Sequence, residues 1–360
     1  MRTFQKDVVA KYLKVYAEPE AALGTRLQCH TEHVLVIPAQ DESISLLEGI
    51  QPALDTVSEQ GQRALCIIVV NATDTHDSLV QKRNTELIHA LRDHGPTVPL
   101  HTQNETPCWH TRASGFDLVV VDRNSTGFRL PSNQGVGLAR KIGCDLALTA
   151  LRDGTNRSPL IHMTDCDVRL PSDYFDVAVP AACAALIYRF SHKSSGHSLI
   201  DDAHAKYEAF LRYYVLGLQH AGSPYAFHTI GSCIAVTPTA YAAVRGVPKR
   251  QAGEDFYLLN KLAKVGQLYT ANSSPLTIQA RTSLRVPFGT GQATNEIVQN
   301  RDPYKIYDPT IFDLMKTWCN ALEAINGTRV NAAYETVLCR AESALDSINQ
   351  QRLRTALEAI

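Results

Sequence analysis

Residues 33–74 read HVLVIPAQDESISLLEGIQPALDTVSEQGQRALCIIVVNATD, and their pattern decides the fold class. His33 to Ala39 is a short apolar run ended by Pro38. Between Asp41 and Gln60, the residues Ile44, Leu47, Ile50 and Leu54 recur on one helical face. Leu65 to Ala72 is a second apolar run. The order is strand, helix, strand. The rhythm continues: a helix over Ser78–Arg92, a polar loop with Pro96, Pro99 and Pro107, a strand over Phe116–Arg123, a helix over Val136–Leu151, and a fourth strand at Leu160–Asp165. Strands of unbroken Val, Ile and Leu separated by helices predict a parallel sheet covered on both faces. In such sheets ligands bind at the carboxyl ends of the strands. That places the segments after Ile37, Val70, Val121 and Met163 around one crevice.

Around this core the signals differ. Val8 to Tyr16 repeats apolar positions at helical spacing, which predicts a leading helix. From about residue 180 an apolar run, a helix near Asp201–Gln219 and another apolar run at Ile230–Val236 mark a second half, continuous with the first sheet. Residues 294–360 are mainly helical and carry no assignable motif. The expected division is therefore 1–30, an N-terminal helix; 31–293, an α/β domain with halves 31–170 and 171–293; and 294–360, a helical C-terminal region.

With 44% hydrophobic residues in 360, the chain can bury a substantial core. Its 35 Lys and Arg against 36 Asp and Glu leave a formal net charge of -1, and no basic block stands out. Non-specific nucleic-acid binding needs many phosphate contacts and has no footprint here. The nine cysteines are scattered singly without a CxxC pair, which excludes a zinc knuckle and fits a reducing compartment. The N-terminal stretch is interrupted by lysines and does not read as a secretory signal. No run approaches the roughly 20 apolar residues of a membrane span. The expectation is a soluble cytoplasmic protein.

Three motifs carry chemistry. Asp165-Cys166-Asp167 directly follows the fourth strand. Two carboxylates at i and i+2 on a strand exit can approach one hard cation such as Mg²⁺ or Mn²⁺, whose shell phosphate oxygens and water complete. The plain alternative is that the pair caps a turn. Gly253-Glu254-Asp255 heads an amphipathic segment. Acids at a helix start answer the dipole, and the same carboxylates, Glu254 and Asp255, are candidates for a general base. Gly135-Val136-Gly137, followed by Arg140 and Lys141, opens the third helix and offers amides and cations to a diphosphate, or is simply a helix start.

Taken in order, Ile37-Pro38-Ala39-Gln40-Asp41-Glu42, Ile67 to Asp74, Gly135 to Gly143, Asp165-Cys166-Asp167 and Gly253-Glu254-Asp255 resemble the family 2 glycosyltransferases. The resemblance spans about Val34 to Gly266. It implies a GT-A type, Rossmann-like, mostly parallel sheet flanked by helices, with a helical C-terminal extension. It implies a nucleotide-sugar donor, a small-molecule or glycan acceptor, and Mg²⁺ or Mn²⁺. Pro38, Ala39 and Glu42 would line the nucleoside pocket, Asp74 would approach the base, and Arg140 would lie near the donor. Asp167 would ligate the metal, helped by Asp165, and Asp255 would be the base if the reaction inverts; 31–170 would be the nucleotide-sugar half and 171–293 the acceptor half of the catalytic domain. In related enzymes a His completes the metal shell, which makes His228 a candidate. Gln40 stands where the family often has Asn, and Asn71 where Asp is common. The loop Asp93–Gly115 has no family counterpart. The stretch Arg281–Gly291, with Arg281 and Arg285 before a glycine tail, reads either as a lid or as a solvated strand and turn. The C-terminal helices are candidates for an acceptor wall or a homo-oligomer contact. A sugar nucleotidyltransferase, a phosphatase-like enzyme on the same acids and an inactive GT-A binding domain are the alternatives.

Overall fold

The computed structural model describes residues 2–279, 290–299, 304–324 and 339. The stretch Arg281–Gly291 lies almost wholly outside them. The elements, in chain order, begin with α1 (Arg2–Val15), β1 (His33–Ala39), α2 (Leu46–Glu59), β2 (Ala64–Asn71) and α3 (Ser78–Arg92). Next come β3 (Thr97–Pro99), β4 (Cys108–Arg112), β5 (Phe116–Arg123), α4 (Gly135–Asp153), β6 (Ile161–Met163) and β7 (Val168–Arg169). Then follow β8 (Cys183–Ile187), β9 (Phe190–Lys193), α5 (Ser198–His220), β10 (Ile234–Val236), α6 (Pro238–Ala243) and α7 (Glu254–Leu262). The last are β11 (Gln267–Thr270), β12 (Leu276–Gln279), α8 (Thr290–Gln299) and α9 (Thr310–Ala324).

Among the described residues the fold is mixed α/β, with a nine-stranded sheet in the order β11-β8-β10-β6-β1-β2-β5-β4-β3 and helices around it. Its centre is parallel: β1 pairs with β2, β2 with β5 and β1 with β6. Val34 to Ile37, Leu65 to Val70 and Leu118 to Val121 are all buried, as strands covered on both faces require. Since β1, β2, β5 and β6 run the same way, their carboxyl ends share one edge. Two features depart from a uniformly parallel sheet. The Asp93–Gly115 segment, expected as a loop, contains β3 and β4, an antiparallel extension of β5. On the other side β10 runs antiparallel between β6 and β8. A three-stranded sheet, β7-β12-β9, stands beside these strands.

α2 begins at Leu46, five residues later than the expected helix. Asp41 takes a left-handed φ of 60°, which ends β1 in a sharp exit before the helix can form. α4 is buried along most of its length, and its C-terminus closes on Gly154 at φ 79°.

α1 is tied to the sheet's covering helices by a buried polar network. The Tyr12 hydroxyl donates to Asp145 Oδ1 at 2.5 Å, and the Tyr241 hydroxyl donates to the same oxygen at 2.7 Å. Lys141 Nζ reaches Asp145 Oδ2 at 3.0 Å and also meets the Tyr12 hydroxyl. The Glu18 amide completes the carboxylate's shell at 2.8 Å. A carboxylate with no solvent exposure is tolerable only with such a full set of donors.

The chain divides into two compact units, Met1–His204 with Thr229–Glu296 and Ala205–His228 with Ile297–Ile360. The first holds the sheets. The second holds an aromatic cluster in which Phe210, Tyr213, Tyr214, Tyr307 and Phe312 meet. There the Tyr213 hydroxyl donates to the Tyr307 carbonyl at 2.7 Å. Among the described residues no helix is long and apolar enough to cross a membrane.

Candidate active site

The acid turn leaves β6 and is pinned at three points. The Thr164 amide donates to the Val36 carbonyl at 3.1 Å, continuing the parallel pairing one residue past the strand. The Cys166 thiol donates to the Pro38 carbonyl at 3.4 Å, which joins the turn to the exit of β1. The Asp167 carbonyl accepts from the Gln279 amide at 3.0 Å.

Arg140, from the second turn of α4, organises the surroundings. Its side chain is almost wholly buried. Nη2 donates to Asp165 Oδ1 at 2.8 Å, Nη1 donates to the Gly231 carbonyl at 2.5 Å, and Nε lies 3.4 Å from Glu254 Oε1. A β-carbon on Gly231 would come within 2.9 Å of Nη2, so a larger residue there would press on this guanidinium. Burial alone would make Arg140 easier to deprotonate. Asp165, Glu254 and Asp255 more than reverse that and hold the cation firmly.

The two acids at the start of α7 differ. Glu254 is 4% exposed and faces Arg140. Burial pushes its carboxyl up to about 7, against the pull of Arg140 and with a further push from Asp255. Asp255 is half-buried, and its Oδ1 accepts from the Phe256 amide at 2.7 Å. Burial raises its pKa as well, while the Phe256 amide and Arg140 lower it.

The start of α4 serves this arrangement differently from the expected diphosphate cradle. The Gly137 amide donates to the Arg250 carbonyl at 3.0 Å. A β-carbon there would stand 2.5 Å from the Pro248 carbonyl oxygen and 2.6 Å from Arg250 backbone atoms. The helix start is thus packed backbone to backbone against the segment that leads into Glu254 and Asp255. Lys141 turns away from the site into the Asp145 network.

Of the residues expected at the nucleoside, Pro38 and Ala39 are buried within β1 and Glu42 is half-buried just beyond. Asp74 is exposed and pairs with Arg129 at 3.1 Å. Asn71 explains its departure from the family pattern: its side-chain amide donates to the Ala39 carbonyl at 3.0 Å and the Val69 carbonyl at 3.2 Å. A carboxylate could not donate either bond. His228 belongs to the second unit, where burial and Arg212 lower its pKa.

Among the described residues no group of three or more His, Cys, Asp or Glu comes together as a cage for a metal. A hard divalent cation needs no such cage, because it takes one or two carboxylates and fills its shell with phosphate oxygens and water. Asp165, Glu254 and Asp255 all act on the single guanidinium of Arg140, and burial is the main cause of the raised pKa values of Glu254 and Asp255.

No protein-family description and no curated protein matches the chain. Among solved structures it is similar to glucosyl-3-phosphoglycerate synthase from Mycobacterium tuberculosis in complex with Mn²⁺, UDP and glucosyl-3-phosphoglycerate. That match has 10% identity over 91% of this chain and 84% of that chain, with a TM-score of 0.33. A second similar structure, of a mycobacterial protein, has 13% identity over 92% of this chain and 80% of that chain, with a TM-score of 0.30. At these scores neither likeness bears on what this chain binds or does.

Proposed function

We propose that the chain is a glycosyltransferase that moves a sugar from a nucleotide-sugar donor onto a hydroxyl acceptor. The observation that carries this reading is the meeting of Asp165, from a strand exit, with Glu254, from a helix start, on the buried guanidinium of Arg140. It stands beside the shared carboxyl edge of four parallel strands, the edge at which ligands bind in such sheets.

In this mechanism the exits of β1 and β2 receive the nucleoside. Asp167, with Asp165, would hold a divalent cation, which when bound neutralises charge on the diphosphate leaving group. Arg140 keeps Asp165 oriented, and Glu254 keeps Arg140 in place. Asp255 is the half-buried member of the acid pair and the one open to an acceptor. Its raised pKa makes it a stronger base than an ordinary aspartate. The acceptor oxygen attacks the anomeric carbon, the bond from that carbon to the diphosphate breaks, and the acceptor proton passes to Asp255. This course inverts the anomeric centre.

Thermal unfolding with UDP-, GDP-, ADP- and dTDP-sugars, each with and without Mn²⁺ or Mg²⁺, tests the reading. One nucleotide family should stabilise the protein in a metal-dependent way, by about 2.7 kcal/mol at a hundred times its Kd. Asp167→Ala should lose that effect, and Asp255→Asn should keep it while abolishing transfer. Stabilisation by none of the donors would overturn the proposal.

A further inference from the structure

Just past the end of β1, Asp41 holds a φ of 60°, in the left-handed region that favours glycine. Two consecutive residues of α3 hold it there. Arg83 pairs through Nε with the Asp41 carboxylate. Asn84, fully buried, accepts from the Asp41 amide through Oδ1 at 2.8 Å. Asn84 is itself fixed from behind, since its Nδ2 donates to the Asn71 carbonyl at 2.9 Å and to Asn124 Oδ1 at 3.2 Å. Asn71 in turn donates to the Ala39 carbonyl. The chain is thereby gripped at Ala39 and at Asp41, on both sides of Gln40, and the Gln40 amide meets His76 Nε2 at 3.1 Å.

A glycine at position 41 would take the same φ without strain and without a clamp. Here an aspartate takes it, held by a charge on one side and by a ladder of buried asparagine amides on the other. The cost of that arrangement falls on one segment, Gln40 to Glu42, at the carboxyl edge of the sheet.

We propose that Arg83 and Asn84 are positioning residues for nucleotide binding: by clamping Asp41 they set Gln40 and Glu42 for the nucleoside half of the donor. The inference rests on the nucleotide-sugar reading above. Arg83 acts through Asp41 and its side chain is 45% exposed, so its removal should leave the fold intact.

The test is isothermal titration of the full-length protein with UDP, GDP, ADP and dTDP. It is followed by titration of Arg83→Ala, Asp41→Gly and the exposed control Lys82→Ala with the nucleotide that binds. Arg83→Ala should weaken binding about tenfold with an unchanged Tm, because a loosened segment must be ordered on binding. Donor KM should rise while kcat at saturation stays the same. Asp41→Gly, which relieves the strain and removes the Arg83 half of the clamp while keeping the amide bond to Asn84, should weaken binding without loss of stability. Lys82→Ala should bind as wild type. If wild type binds a nucleotide and both Arg83→Ala and Asp41→Gly bind it equally well, the clamp has no role in recognition and the inference falls alone. If wild type binds none of the four, the donor reading falls and takes the inference with it.

Discussion

Glu254 shows how one buried side chain can tie stability to pH. Its carboxyl titrates near 7 in the folded protein against 4.5 for an ordinary glutamate, chiefly because it is buried. The folded state therefore holds a proton that the unfolded chain has released. The contribution is fully present below pH 4.5 and is lost as pH rises through about 7. Glu254→Gln, which is neutral at every pH, should gain stability relative to wild type between pH 5 and pH 7.5 in urea unfolding. A difference that does not vary with pH would show that Arg140 already holds Glu254 ionised. The acids themselves stand out in the primary structure, because two short acidic motifs follow or precede apolar runs. Their joint contact with Arg140 does not, because it is made between β6, α4 and α7 by tertiary packing. The role of Asn84 is hidden for the same reason. An asparagine inside a helical stretch gives no local sign that its amide will be buried under a strand exit.

The contact between α4 and the segment before α7 belongs to the scale of elements. Gly137 lets the helix start approach the backbone at Pro248 and Arg250, with no side chain able to give way. Gly137→Ala should force the two apart, lowering stability by about 1–3 kcal/mol. Because Glu254 and Asp255 follow directly, turnover should fall further than the loss of folded protein explains. Unfolding and kcat measured on the same sample separate the two effects. The central elements were readable from periodicity: the strand expected at Phe116–Arg123 and the helix expected at Ser78–Arg92 have those bounds. β3 and β4 were not readable. Thr97–Pro99 and Cys108–Arg112 are short, partly polar and set among prolines, and they become strands only because β5 offers an open edge. Nor does any local signal set the direction of β10. Ile234–Val236 is a buried triplet that would suit either polarity, and the connections around it decide.

At the scale of the molecule, the first helix is part of the core structure rather than an appendage, because Tyr12 shares the Asp145 carboxylate with Tyr241 and Lys141. Tyr12→Phe keeps the ring and removes one donor from a buried charge. It should cost about 1–3 kcal/mol. Amide exchange should quicken along α1 and α6 while the centre of the sheet stays protected. Equal exchange in the two proteins would show that apolar packing alone seats the helix.

That network also bears on the order in which the protein matures during translation. Tyr12 and Asp145 lie 133 residues apart, and Tyr12 and Tyr241 lie 229 apart. At about 5–20 residues per second a ribosome needs roughly 10–45 s to travel from Tyr12 to Tyr241. For all of that time α1 has no complete set of partners, while β1, β2 and β5 can already pair. The amino-terminal helix is thus made early and installed late, and a nascent chain released before Tyr241 would carry it unsecured.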